Sequence, residues 1–329
     1  MNVLITNIGR RGYLVDFLRN TSNFIGNIYV SDCDYTASGL YSKCDEYFIL
    51  PRPTNDEGLY VKKLMNICLL KKIKIIIPVI DPEIYILSKY KEKFRKKGIL
   101  IIVSSRDVLE ICYNKLFMNE FLLKNNFNVI KTFNNIKTFQ TALEKEQINF
   151  PVFIKPIYGS GSTNSFKVDD FKKLKALFCD GMIIQEYIEG TEYGVDIFNN
   201  LQHTPVRIVI KEKISMRSGE TDKSRTIFNK NIFDVTKKLA EILKHFGPLD
   251  CDVIETKKNI YVLDINPRLG GGYPATHEAG INFLELIVKL YKNEKITPQF
   301  NNYLLDRIIV KGISIKSISV NKEEKYEFN

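Results

Sequence analysis

The chain has 329 residues, 44% hydrophobic and 26% charged, which suits a soluble protein of two domains at roughly 150 residues each. Its 48 Lys and Arg outnumber its 38 Asp and Glu, but the excess is spread along the chain (Lys62, Lys63, Lys71, Lys72, Lys237, Lys238) and no run of five like charges is interleaved with aromatics. That excludes a dedicated nucleic-acid surface and favours a small anionic ligand. The six Cys form no C-x-x-C pair and have no His-rich neighbours, and apolar runs such as 73–80 are too short for a bilayer. With Met1 running straight into an apolar strand, the expectation is no leader, no membrane contact and a cytoplasmic, reduced protein.

In chain order, Val3-Leu4-Ile5 is a strand ending at the turn Thr6-Asn7-Ile8-Gly9, and Tyr13–Leu18 a helix. A strand at 27–30, a helix at 58–70, a strand at 73–79, a helix at 82–96 and a strand at 99–103 follow. This βαβα order predicts a parallel sheet covered by helices. Residues 107–112 and 115–125 read as helices, 129–132 as a strand and 136–147 as a helix. Residues 151–155 and 166–168 flank a Gly/Ser turn, and a helix at 170–178 is capped by Asp169 and Asp170. Strands are expected at 182–187, 192–198, 205–210 and 226–228, a helix at 232–245, strands at 251–255 and 260–265, and a helix at 281–292 after the Gly-rich stretch 270–280. The tail from Asn321 is polar.

Three stretches carry chemistry. In Lys155-Pro156-Ile157-Tyr158-Gly159-Ser160-Gly161-Ser162, a strand ends in a cation and small residues follow. Such a loop lets backbone N–H groups and hydroxyls approach phosphate oxygens, although a plain hairpin loop has the same composition. In Asp264-Ile265-Asn266-Pro267-Arg268, alternation puts Asp264 and Asn266 on one face, and Asp252 on the preceding strand joins them if the two strands pair. Two carboxylates and an amide oxygen suit a hard cation shared with phosphates, and Arg268 suits a phosphate fork. The competing reading is a hairpin with a wet polar face. In Glu186-Tyr187-Ile188-Glu189-Gly190-Thr191-Glu192 a strand breaks and resumes, which frees backbone groups to read an adenine edge and leaves Glu192 for ribose hydroxyls; a strand turn with solvated acids reads the same.

These pieces, in this order, resemble the ATP-grasp superfamily, and within it the carbamoyl-phosphate-synthase-like ligases. The most specific part is Asn266-Pro267-Arg268 with Gly270-Gly271-Gly272-Tyr273-Pro274 and His277-Glu278-Ala279, and the likeness runs over about residues 1–295. The resemblance implies a mixed α/β and α+β fold. A parallel-sheet pre-ATP-grasp domain (1–105) precedes a two-lobed ATP-grasp domain (106–300, lid lobe about 125–187, large lobe about 188–300), followed by a C-terminal strand and tail (301–329). It assigns Lys115, Lys155, Gly159, Ser160, Gly161, Ser162, Glu186, Ile188 and Glu192 to ATP, and Asp252, Asp264 and Asn266 to Mg²⁺, with Mn²⁺ as substitute. Lys211 and Lys213 alternate along one strand, so either can reach a phosphate or stay solvated, and Lys213 is the candidate for ATP. Lys155 and Arg268 are the catalytic assignments. Asn114 stands where the family often has Asp, and Asp264 where it often has Glu.

The implied activity is an ADP-forming ligation: a small-molecule carboxylate is activated as an acyl phosphate and joined to an amine, with a homodimer among the assemblies the family uses. Substrate candidates are Arg10, Arg217, Glu220 and His277. Arg217 and Glu220 read equally as a surface pair, and His277 equally as a structural residue. A non-catalytic Mg·ATP-binding module is the alternative. A Rossmann oxidoreductase is disfavoured because G-x-G-x-x-G is absent after the first strand, where only Gly9 and Gly12 occur.

Overall fold

The computed structural model describes residues 1–22, 24–159 and 164–317. Its first part alternates strand and helix: β1 (Asn2–Thr6), α1 (Tyr13–Arg19), β2 (Ile28–Asp32), β3 (Glu46–Ile49), α2 (Glu57–Leu70), β4 (Ile73–Pro78), α3 (Asp81–Arg95) and β5 (Leu100–Ile101). The strands make one parallel sheet ordered β3-β2-β1-β4-β5. Parallel strands buried on both faces carry unbroken apolar runs, as β1 does over residues 3–5 and β4 over residues 75–77. β3 escaped the sequence reading because Glu46 and Tyr47 are exposed and no apolar alternation marks this edge.

The two faces of this sheet have different covers. Leu4, Tyr29 and Ile76 pack with Tyr60, Leu64 and Leu87 of α2 and α3. Val3, Ile5, Val30 and Ile77 share a second core with Leu14 and Leu18 of α1 and with side chains from residues 269–290.

α4 (Arg106–Tyr113) and α5 (Lys115–Lys124) lead into a smaller sheet. Asn114 caps α5, its side chain accepting from the N–H groups of Leu116 and Phe117, so the amide oxygen does what a carboxylate would. β6 (Thr132–Phe133), α6 (Ile136–Glu144), β7 (Val152–Pro156), β8 (Phe166–Val168), α7 (Phe171–Leu177) and β9 (Met182–Glu186) follow. Their strands are antiparallel, ordered β6-β9-β7-β8, and pack on Phe139 and Leu174 of the two helices.

The third sheet is antiparallel and has six strands. Its elements are β10 (Thr191–Asn199), β11 (Pro205–Arg217), β12 (Glu220–Ile227), α8 (Lys230–Leu243), β13 (Gly247–Glu255), β14 (Ile260–Asn266), α9 (Tyr273–Glu278), α10 (Phe283–Tyr291) and β15 (Ile308–Val310). The order is β14-β13-β10-β11-β12-β15. α8 covers one face through Leu239 and Leu243 against Val195, Ile197 and Ile208. β11 and β12 run well past the expected 205–210 and 226–228. The stretch 216–223, which holds the substrate candidates Arg217 and Glu220, is the tip of their hairpin, turning at Ser218 and Gly219 with φ of 50° and 75°. Charged residues occupy that outer half, so no apolar pattern announced it. The 270–280 stretch contains α9. Among the described residues no helix is long and apolar enough to cross a membrane. The tail expected from Asn321 lies outside the described residues.

Candidate functional site

β9 ends at Glu186 in the four-stranded sheet and β10 begins at Thr191 in the six-stranded one, so residues 187–190 join the two sheets. Between the sheets lies a cleft of about 730 Å³, a size suited to a small-molecule ligand. Ile130, Phe153, Ile254 and Leu263 line its apolar end, next to Glu186, Tyr187 and Ile188. A flat heterocycle buried there gains apolar contact while the connecting backbone offers polar groups at the edge.

The middle of the cleft is charged. β13 and β14 pair so that Asp252 faces Asp264 and Asp250 faces Asn266. Strand alternation places all four on one face. Three lysines meet them. Lys213 Nζ is 2.7 Å from Asp252 and 3.8 Å from Glu192, and Lys115 Nζ is 3.7 Å from Asp264. Lys115 also donates to the Gly159 carbonyl. Lys155, at the end of β7, directs its ammonium at the Leu263 carbonyl, 3.4 Å away. Burial lowers the Lys155 pKa to about 8, with Asp264 opposing and Lys115 assisting. For Lys213 burial acts downward too, but Asp252 outweighs it and the pKa is raised. Burial, then Asp252 and Asp196, push the Asp250 carboxyl up to about 7.

Arg268 lies at the next position along the cleft. Its Nε and Nη2 each lie 3.1 Å from the carboxylate of Asp81, at the start of α3, and Nη1 lies 3.5 Å from Asp250. Expected to be free for a phosphate, this guanidinium is held by two carboxylates and ties the parallel sheet's loop to the six-stranded sheet. The glycine run beside it is a packing requirement. A Cβ on Gly270 would stand 2.2 Å from the Asp250 carboxyl carbon, and one on Gly271 would stand 2.8 Å from Glu220. Behind Gly272, the buried Lys211 pairs with Asp196, which also accepts from Thr276.

The structure brings Lys115, Lys155, Gly159, Glu186, Ile188, Glu192, Lys213, Glu220, Asp252, Asp264, Asn266 and Arg268 to this one cleft. Ser160, Gly161 and Ser162 lie outside the described residues. Three expected substrate residues are elsewhere. Arg10 is exposed and off the cleft lining, and its neighbour Arg11 takes the place. Arg217 is off the cleft lining and is held by Asp222, 2.7 Å from its Nη2. His277 stacks on Phe17 with centroids 3.7 Å apart and planes 11° apart, a packing role at the α1–α9 contact. Asp250 was missed, although its alternation with Asp252 could have found it. Lys311, just past β15, carried no local signal of its contact with Glu220 and Gly271.

Among the described residues no three His, Cys, Asp or Glu side chains are placed to cage a metal. Two facing carboxylates plus one amide oxygen, already neutralised by lysines, form an open donor set. Such a set fits Mg²⁺, which keeps waters and phosphate oxygens in its shell.

Residues 3–102 match the family described as PylC-like, N-terminal domain, and residues 112–272 the family described as ATP-grasp domain. The carbamoyl phosphate synthase large chain of Clostridium acetobutylicum is 23% identical over 260 residues, covering 73% of this chain and 24% of its own length. D-alanine–D-alanine ligase B of Clostridium perfringens is 27% identical over 213 residues, covering 56% of this chain and 70% of its own. This chain thus spans about a quarter of the synthase it matches. In fold it is similar to the Campylobacter jejuni biotin carboxylase solved with β,γ-ATP (TM-score 0.72, 17% identity, 93% of this chain and 74% of that one). It is also similar to the ADP complex of Staphylococcus aureus N5-carboxyaminoimidazole synthetase (TM-score 0.70, 14% identity, 94% and 79%). An apolar slot, three lysines and a facing carboxylate pair at the junction of two antiparallel sheets accompany both matches, and the chain belongs to the ATP-grasp superfamily, with a PylC-like domain ahead of its ATP-grasp domain.

Proposed function

We propose that the chain is an ADP-forming ligase that uses Mg·ATP to activate a small-molecule carboxylate and join it to an amine. The observation that carries this reading is the Asp252–Asp264 pair facing Lys115, Lys155 and Lys213 at the end of an apolar slot. Relatives named as carbamoyl phosphate synthase and D-alanine–D-alanine ligase support it. We further propose the division into 1–105, 106–300 and 301–329, with residues 187–190 as the joint between lid and large lobe.

In this reading Ile130, Phe153 and Ile254 sandwich the base, the backbone at 186–188 reads its edge, and Glu192 accepts from the ribose. Lys115 and Lys155 neutralise phosphate oxygens, and Lys213 orients Asp252. Asp252, Asp264 and Asn266 would hold Mg²⁺, or Mn²⁺ in its place, which supplies charge neutralisation at the transferring phosphoryl group. A substrate carboxylate oxygen bonds to the γ-phosphorus as the bond to ADP breaks, giving an acyl phosphate. The amine nitrogen then bonds to the acyl carbon, phosphate departs with the C–O electrons, and the nitrogen gives up a proton. Arg268, fixed by Asp81 and Asp250, holds positive charge beside this centre without moving, which is how preorganised electrostatics lowers a barrier.

The test is ADP release from Mg·ATP with pooled amino acids and small carboxylates, beside Asp264→Ala. Substrate-dependent release that drops at least about 100-fold in the variant is expected for loss of such a group. Mg·ATP binding with no release under any substrate would favour a silent nucleotide-binding module. Absence of Mg·ATP binding would sink both readings.

A further inference from the structure

The end of the cleft away from the apolar slot is closed by side chains from three distant parts of the chain. Arg11 follows β1, Glu220 opens β12, and Lys311 follows β15, beyond both family-matched stretches. Arg11 Nη2 donates to Glu220 Oε1 at 2.7 Å, Lys311 Nζ lies 3.5 Å from Glu220 Oε2, and the same ammonium donates to the Gly271 carbonyl. Arg11, Glu220 and Gly271 line the cleft. Arg11 and Glu220 keep 16% and 24% side-chain exposure there, and Lys311, 23% exposed, meets the cleft through its contacts with Glu220 and the Gly271 carbonyl.

The cluster is unbalanced in charge and in hydrogen bonds. Arg11 and Lys311 contact one carboxylate, and Arg10 adds a third positive charge acting on it. Burial works against ionised Glu220, but Arg11, Lys311 and Arg10 overcome it and lower its pKa; burial lowers that of Lys311. A guanidinium and an ammonium together offer eight N–H donors. Arg11 Nε is buried with no partner, and so is the Tyr13 hydroxyl, on which Arg11 and Glu220 both act. Surplus donors and surplus positive charge call for a small acceptor anion. The triphosphate is already provided for by Lys115 and Lys155, while Lys213 is engaged by Asp252. A carboxylate matches the flat fork of Arg11 with Lys311 as a second, point-like cation.

We propose that Arg11 and Lys311, positioned by Glu220, bind a substrate carboxylate that takes no part in the reaction, and that Lys311 is a specificity residue supplied by the C-terminal strand. This rests on the ligase reading. The substrate pair then carries one carboxylate beyond the one activated, either on the amine, as in an amino acid, or on a dicarboxylic acid donor.

The experiment measures ADP release with amino acids and dicarboxylic acids as the probes, on the wild type, Lys311→Met and Lys311→Arg. Lys311→Met should raise KM for one substrate at least tenfold while kcat stays within about threefold, the loss expected for one charge-assisted hydrogen bond. KM for ATP should not move, and Lys311→Arg should recover most of the loss. The affected substrate says whether the amine or the donor bears the second carboxylate. Amidating that carboxylate, with the other substrate held fixed, should cost the wild type as much and the Met variant nothing further. An amide used as well as the acid, or a KM for ATP that rises in parallel, would overturn the assignment. So would Mg·ATP binding with no turnover of any carboxylate-bearing pair, whereas a protein that binds no Mg·ATP fails the ligase reading itself.

Discussion

Lys155 lets the nucleotide reading be tested through protons rather than turnover. Its side chain is half-buried beside Lys115 and Asp264, and loss of hydration brings its pKa from 10.5 to about 8. Holding that ammonium charged in the cleft costs about 3 kcal/mol. The folded value is the depressed one, so stability rises as pH climbs from about 8 to 10.5 and is least below 8. Phosphate oxygens arriving at Lys155 remove the disadvantage and return the pKa toward its ordinary range. At about pH 8 half of the free molecules lack the proton, so binding Mg·ADP takes up about half a proton; at about pH 6.5 it takes up almost none. Isothermal titration calorimetry in two buffers of different ionisation enthalpy reads this uptake as the slope of apparent heat against buffer heat. Lys155→Met should bind more weakly and show no slope at either pH. A flat wild-type response at pH 8, or an equal slope in Lys155→Met, would refute the placement of phosphates at this lysine.

Three further outcomes are expected. Lys211→Met leaves the buried Asp196 without its cation and should destabilise the protein by about 3–5 kcal/mol in urea unfolding, most of it recovered when Asp196→Leu is added. Gly270→Ala drives a methyl into Asp250; a loss of about 1–3 kcal/mol is expected, with ADP release falling at least about tenfold as Asp250 shifts from Arg268. Glu83 is buried against Tyr60, and burial raises its pKa from 4.5 to about 7. The folded state therefore keeps a proton that the unfolded chain releases, and stability is lost as pH rises from about 4.5 through 7. Glu83→Gln should flatten the melting temperature between about pH 5 and 8 in scanning calorimetry, and an unchanged profile would show that Glu83 is ionised throughout.

Much of the site was legible because the chemistry is tied to strand ends. Asp252, Asp264 and Asn266 sit at alternate positions of two strands joined by a short turn, and period two alone puts them on one face. Lys155 and the 186–192 break were visible for the same reason. Long-range pairing was not. Nothing near Arg268 says that Asp81, 187 residues earlier, holds its guanidinium. Nothing at residue 10 or 11 says which arginine faces inward, since a turn has no periodicity to read. The outer halves of β11 and β12 are charged, so their length came from pairing with each other rather than from burial. His277 is sequence-adjacent to the site and aimed at Phe17, a direction set by the packing of α1 on α9.

The shared core on the inner face of the parallel sheet has a consequence for how the protein is made. Val3, Ile5 and Val30 are covered partly by Phe283, Ile287 and Leu290, which the ribosome adds some 250 to 290 residues later. Until then the sheet has α2 and α3 on one side and an incomplete cover on the other, where α1 and Leu40 come early and Phe198, Val206 and Phe246 only later. Contacts of such sequence separation slow folding, and bare strands of this kind are prone to associate. The N-terminal unit emerges first and is finished last, so a nascent chain should engage chaperones until α10 clears the exit tunnel. A chain truncated after residue 272 would keep Lys115, Lys155, Lys213, Asp252 and Asp264, yet lose the helix that closes the opposite half of the molecule.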